Sequence, residues 1–346
     1  RLAERLGAMF DSPFELDGQE LRMSATGGIA AYPDDGIEAE ALLQAAQTAW
    51  QHAKEAGERC LRHRPNMSAR ASERLSLTNE LRRAVAERKF AVHYQPKVAL
   101  ASGALEGVEA LLRWPRDDND PVSPAVFVPM LEQLGLIEDV GGWVIVQALR
   151  ESATWATAAG GVRVAVNVSQ KQLDRDDFAD LVLQLVDGIA DGPRRLELEI
   201  TESTLMADPR KASSSLARLR EAGVSVAIDD FGTGHSSLRM LAGLPADVLK
   251  IDRSFVCDLA ANRNHRLIVQ TTIGLAKSLG MKTVAEGVEM AEQAELLHAL
   301  GCDAVQGYLI GRPASAAATT HWIAQHQALP IASTLGASRE RNARRR

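Results

Sequence analysis

The sequence predicts an α/β protein: a modified (β/α)8, TIM-like barrel with an antiparallel first strand, preceded by a smaller, truncated α/β unit. Three observations predict it. Short apolar runs recur along most of the chain, the majority separated by amphipathic helical segments, as in a parallel sheet that closes on itself. The connection between the first two runs, "LASGAL", is too short for the crossover a parallel pair requires, so those two form a hairpin. With 346 residues, 46% of them hydrophobic, the chain can fill one large core and something smaller.

To about residue 66 the chain reads as the small unit. "PFELDGQELRMSATGGIAAYP" alternates around "DG", a hairpin-turn dipeptide. "IEAEALLQAAQTAWQHAKEAG" is rich in alanine and leucine and closes on Gly57, as a helix does. One hairpin and one helix cannot enclose a core. Partner strands are therefore expected before Arg1, or the unit leans on the barrel. A first residue that is Arg rather than Met agrees with an excised piece of a longer protein. Residues 67–77, "MSARASERLSL", are expected as a polar connector running into a helix near Thr78.

The barrel is expected over residues 78–330. Its candidate strands are "FAVHYQPKV", "EGVEALLRW", "VRVAVNVS", "RLELEIT", "SVAIDDF", "DVLKID", "TVAEGV" and "DAVQGY". Segments such as "ADLVLQLVDGI" and "HRLIVQTTIGLAKSLG" supply the intervening helices. Residues 331–346, ending in "RNARRR", read as a disordered, solvated tail.

Composition narrows the function. A net charge of −6 offers no basic excess for gripping polymeric nucleic acid. Cys60, Cys257 and Cys302 are scattered and odd in number, which suits a reducing compartment rather than a disulfide frame or structural zinc. No apolar run approaches the ~20 residues that span a bilayer, and no signal peptide opens the chain. A cytoplasmic location without membrane contact is expected for this fragment.

In such barrels the chemistry sits at the carboxyl ends of the strands. Those ends carry Glu109, Asn167, Glu199, Asp229 with Asp230, Lys250 with Asp252, Glu286 and Gln306; Gln95 joins from the inverted first strand. At ~4 Å each like-charged pair costs about 1 to 4 kcal/mol, and that many carboxylates cannot be balanced by one lysine. Two divalent cations would balance them. An all-oxygen donor set favours Mg²⁺ or Mn²⁺ over Zn²⁺. Strand alternation points Asp229 and Asp230 to opposite faces, so both reach metal only where the strand breaks. Phe231-Gly232-Thr233-Gly234 supplies the break, leaving one aspartate free to bridge two ions. Ser236 in the same stretch also suits a helix N-cap.

"EALLRW" at 109–114 resembles the signature of the EAL phosphodiesterases, which hydrolyse the bacterial second messenger cyclic di-GMP. "YQPKV", "VNVSQKQL", "LELEITES", "AIDDFGTGHSSL", "LKIDRSF", "VAEGVE" and "CDAVQGYLIGRP" resemble the family's further motifs in order, from about residue 78 to 326. The resemblance implies that Glu109, Asn167, Glu199, Asp229 and Asp230 are metal ligands, with Glu286 completing the site directly or through water. Two Mg²⁺ or Mn²⁺ ions per site would activate water for in-line attack, opening the ring to linear pGpG. Lys250, Glu286 and Glu109 are the implied catalytic residues. Gln95, Leu112, Arg113, Asp252 and Gln306 would meet the substrate, and Glu202 would anchor the "DDFGTGHSS" loop. A homodimer through the barrel is implied as well. The alternative within the family is a cyclic di-GMP receptor that does not cut its ligand; such receptors usually lack some metal ligands, and none is missing here. An unrelated barrel phosphoesterase is a third, more distant reading.

"SATGGIAAYPDDG" and "ALLQAAQTAWQHAKEAGERCL" are similar to the closing part of a GGDEF, or diguanylate cyclase, domain. Gln47 and Trp50 stand where that family usually has aspartate and methionine. The cyclase signature would lie before Arg1, so this GGDEF remnant is not expected to make cyclic di-GMP.

Overall fold

The structure, a computed structural model, describes residues 5, 8–16, 19–116, 121–157, 160–232, 241 and 243–326. Two compact units divide the chain, Arg1–Ala86 and Glu87–Arg346. The tail expected over residues 331–346 and the "DG" turn lie outside the described residues.

In the first unit, β1 (Phe14–Leu16) pairs antiparallel with β2 (Gln19–Leu21). β3 (Gly27–Ile29) and β4 (Cys60–Arg62) pair in parallel, joined through the helix Ala39–Ala56. That helix stops where Gly57 turns left-handed at φ 68°, a conformation glycine adopts without steric cost. It lies so close on β3 that a Cβ at Gly28 would stand 2.0 Å from the Ala46 carbonyl oxygen. The helix expected to start near Thr78 starts earlier and takes in residues 67–77. It runs over Pro65–Ala86, because Pro65 suits a first helical position. Beyond it neither Gly nor Pro interrupts a run of Ala, Arg, Glu and Leu.

The second unit is a closed barrel of eight strands: β5 (Ala91–Ala99), β6 (Leu105–Arg113), β9 (Arg163–Asn167), β10 (Leu196–Thr201), β11 (Ser225–Phe231), β12 (Val248–Ile251), β13 (Lys282–Ala285) and β14 (Ala304–Gln306). β7 (Ala156–Thr157) and β8 (Gly160–Gly161) form a small separate pair. β15 (Ala314–Ser315) adds to β5. As the short connection predicts, β5 and β6 are antiparallel, with Gln95 opposite Glu109. β14 closes the ring antiparallel to β5, placing Gln306 opposite Lys97. The remaining neighbours are parallel.

Two apolar layers hold the wall. Outside, Ile251, Ala285 and Val305 pack against Val269 and Ile273 of the helix Arg263–Ser278 and Leu297 of the helix Ala291–Leu300. Ala227, Val248, Val284 and Ala304 form a second buried cluster. Each precedes a predicted site residue by two positions: Asp229, Lys250, Glu286 and Gln306. Period-two alternation therefore sets those four polar groups on the face of the apolar cluster, one step nearer the carboxyl rim. No helix among the described residues is long and apolar enough to cross a membrane.

Candidate active site

Strand pairing assembles one side of the rim. Asn167 Nδ2 donates to Glu109 Oε1 at 2.8 Å, and Gln306 Nε2 donates to Glu109 Oε2 at 2.5 Å. Gln306 Nε2 also lies 3.1 Å from Gln95 Oε1, while Gln95 Nε2 donates to the Gly311 carbonyl at 3.0 Å. Amides thus grip both oxygens of Glu109, with no cationic side chain in contact among the described residues.

Lys250 organises the other side. Its side chain is 1% exposed, and its Nζ stands 2.7 Å from Glu199 Oε2, 3.1 Å from Asp229 Oδ1 and 2.5 Å from Glu286 Oε1. A second buried lysine corrects the expectation of one lysine facing the carboxylates. Lys97 Nζ lies 2.5 Å from Glu197 Oε1 and 3.2 Å from Glu199 Oε1. Sequence reasoning missed both Lys97 and Glu197, although alternation points to them. Lys97 follows Gln95 by two positions, and Glu197 precedes Glu199 by two.

Asp229, Asp230 and Glu286 each place a carboxylate oxygen within 4.8 Å of the others. The strand break that permits this begins one residue before the expected stretch. Asp230 itself is left-handed at φ 55°, and the β11–β12 register shifts between Ile228 and Phe231. The Asp230 amide donates to Asp229 Oδ1 at 2.9 Å, steadying the kink. Gly232 follows at φ 97°, and its amide donates to Glu202 Oε2 at 3.0 Å. Glu202 is therefore placed against the start of the loop it is expected to anchor. Thr233, Gly234 and Ser236 lie outside the described residues.

A Cβ at Gly232 would approach Phe255 Cε2 to 3.1 Å. Gly232→Ala is therefore expected to cost about 1–3 kcal/mol of stability from backbone strain. Urea denaturation measures it, and an unchanged midpoint would rule out that strain.

Asp252 is half-buried and caps a short helix, Arg253–Val256, its Oδ1 accepting from the Ser254 amide at 3.0 Å. Arg113 is half-buried at the end of β6, and its Nη1 donates to the Leu112 carbonyl at 2.9 Å. Leu112 lies one step off the Glu109–Leu111–Arg113 alternation, so its side chain leaves β6 on the opposite face.

Burial dominates the site's electrostatics. It raises Glu109 to about 7, helped by the charge of Glu199. It raises Glu286 to about 8 against the pull of Lys250. Burial would raise Glu199 too, but Lys250 and Lys97 outweigh it and hold that carboxyl at about 2. Asp230 is raised by burial and by Asp229. Burial disfavours the Lys250 ammonium, yet Glu199 and Glu286 outweigh it and keep it charged. The oxygen donors suit a hard divalent cation. Gln306 Oε1, buried without a hydrogen-bond partner among the described residues, adds an unspent acceptor to the set.

The EAL domain family matches residues 78–313. The chain belongs to the EAL-domain family. A second match, to the diguanylate cyclase, GGDEF domain, covers residues 1–60 ahead of the EAL barrel. The chain is 41% identical over 315 residues to the bifunctional diguanylate cyclase/cyclic di-GMP phosphodiesterase MucR of Pseudomonas aeruginosa, covering 90% of this chain and 46% of that protein. It is 38% identical over 324 residues to the cyclic di-GMP phosphodiesterase NbdA of the same organism, covering 93% of this chain and 41% of that protein. The chain thus spans less than half the length of these relatives. A solved structure of the PaMucR phosphodiesterase, a c-di-GMP complex, superposes on the EAL barrel with a TM-score of 0.67 at 41% identity. The superposition covers 70% of this chain and 99% of that one.

Proposed function

We propose that the EAL barrel hydrolyses cyclic di-GMP to linear pGpG with the help of two divalent cations. The observation that supports this is convergence. Glu109, Asn167, Glu199, Asp229, Asp230, Lys250, Glu286 and Gln306, drawn from β6, β9, β10, β11, β12, β14 and the residue after β13, stand at one rim, and each matches the residue expected from the EAL motifs. Names of relatives that are cyclic di-GMP phosphodiesterases add to it. Glu109, Asn167, Glu199, Asp229, Asp230 and Glu286 would hold the cations.

Charge supports divalent cations. Six carboxylates (Glu109, Glu197, Glu199, Asp229, Asp230 and Glu286) with Lys97, Lys250 and Arg163 leave a formal −3 when all are ionised, more than one divalent ion neutralises. Mg²⁺ or Mn²⁺, when bound, supplies a water nucleophile at neutral pH and spreads transition-state charge. The chain's own groups do the rest. Lys250, held positive, faces the negative charge that develops on the phosphate and orders the nucleophile with Glu286. Arg113 offers a forked guanidinium suited to a phosphate, with Gln95, Asp252 and Gln306 on the substrate's side, whereas Leu112, on the opposite face of β6, drops out of that set. The first unit is read as the closing part of a GGDEF domain without its cyclase signature. The same reading includes a homodimer through the barrel, which light scattering checks, and a cytoplasmic site of action.

Incubation with cyclic di-GMP and Mg²⁺ or Mn²⁺ should yield pGpG. Binding that persists in EDTA, with no product in either metal, would make the barrel a receptor instead.

Metal uptake should depend on pH. Glu286 at about 8 is mostly protonated and Glu109 at about 7 about half protonated in the cation-free site at neutral pH, and a ligand must lose its proton to bind. Mn²⁺ affinity is therefore expected to rise from about pH 6 to about pH 8.5, by up to about tenfold per pH unit for each proton released. Calorimetry in buffers of different ionisation enthalpy counts those protons. A flat profile would mean that neither Glu109 nor Glu286 gives up a proton to the cation.

A further inference from the structure

Beneath the rim lies a buried ion pair that the catalytic assignments leave unused. Lys97 and Glu197 side chains are 6% and 4% exposed, and their charged atoms are 2.5 Å apart. Glu197 also accepts from Ser225 Oγ at 3.2 Å, and its Oε2 lies 3.9 Å from Arg163 Nη1. From there the charges alternate up the barrel interior: Arg163, Glu197, Lys97, Glu199, Lys250, and then Asp229 with Glu286.

Glu199 sits in the middle of this column and is held by both oxygens. Lys97 takes Oε1, and Lys250 takes Oε2. The two lysines differ in what surrounds them. Lys250 is shared with Asp229 and Glu286, the groups that would meet a cation. Among the described residues Lys97 touches no rim carboxylate other than Glu199, and its second partner, Glu197, is fixed by β10 and by Ser225. A carboxylate free to rotate presents either oxygen. One pinned at Oε1 presents Oε2 alone.

We infer that Lys97 is a positioning residue: seated on Glu197, it pins Glu199 Oε1 and so directs Oε2 toward the rim, where Lys250 now stands and a cation would bind. The inference rests on the proposed role of Glu199 as a metal ligand. Outer-sphere partners of this kind typically change metal affinity or activity by about 10–100-fold when removed.

Lys97→Met alone would leave the buried Glu197 only the more distant Arg163, 3.9 Å away, so the informative variant removes the pair together, Lys97→Met with Glu197→Gln. Net charge in the column is then unchanged, and any shift in cation affinity reports orientation rather than long-range attraction. Wild type and the double variant are compared by thermal melting, by calorimetric titration with Mn²⁺ in the absence of nucleotide, and by cyclic di-GMP kinetics. The double variant is expected to melt cooperatively, to bind Mn²⁺ about 10–100-fold more weakly, and to lose kcat by a similar factor, with KM within about threefold. Mn²⁺ binding as tight as wild type, or tighter, overturns the inference. Should the double variant not fold, Glu197→Asp alone carries the test, because it keeps the column's charge while withdrawing the seat of Lys97 by one methylene. Weaker Mn²⁺ binding then sustains the inference, and wild-type binding overturns it. A wild-type protein that takes up no Mn²⁺ refutes the parent reading, and the inference with it.

Discussion

Lys250→Ala is expected to lower kcat for cyclic di-GMP by about 10²–10⁴-fold while KM moves only severalfold, the pattern for a group that acts mainly on the transition state. The same substitution should strike the cation-free protein hard. Lys250 is the ammonium that Glu199, Asp229 and Glu286 share, and it is 1% exposed. Removing one partner of a buried charge cluster leaves the others uncompensated, at a cost of about 3–5 kcal/mol. Mn²⁺ should then restore much of the loss, because cation binding stabilises the folded state by roughly 2.7 kcal/mol at a hundredfold excess over Kd. Denaturant melts with and without Mn²⁺, set beside steady-state kinetics, measure both effects. A rise in KM with kcat intact would move Lys250 from chemistry to substrate binding.

Glu109→Ala should give the opposite balance. Turnover is expected to fall by about 10³-fold or more, roughly 4 kcal/mol of transition-state stabilisation, through loss of a metal ligand. Cation-free stability should change by only about 1–2 kcal/mol. Two effects oppose each other there. The Asn167 and Gln306 amides lose their acceptor. Repulsion of the buried Glu109 carboxylate by Glu199 and Asp229 disappears at the same time. Mn²⁺ titration should report weaker or fewer bound ions. Unchanged turnover would remove Glu109 from the site altogether.

Much of the rim was legible in the sequence because a strand's faces alternate with period two. Asp229, Lys250, Glu286 and Gln306 can be put on one face of their strands by counting back to small apolar residues. The "EALLRW" and "DDFGTG" stretches then mark strand ends. Counting by two also reaches Lys97 from Gln95 and Glu197 from Glu199, but neither ends a strand, so attention to strand ends passed over both. The helix over Pro65–Ala86 was hidden by its polarity: a run without an apolar stripe reads as connector, although its residues favour helix.

By itself the sequence determined which residue types stand at the strand ends, the hairpin that opens the barrel, and the oxygen-only donor set. These are local properties, set by alternation, connection length and side-chain chemistry. Only the tertiary structure decided who partners whom. Closure of β14 on β5 brings Gln306 to Gln95 and Glu109, about 200 residues away, and the left-handed Asp230 lets its carboxylate join those of Asp229 and Glu286. Contact across a closed ring depends on register and depth, which no single strand encodes.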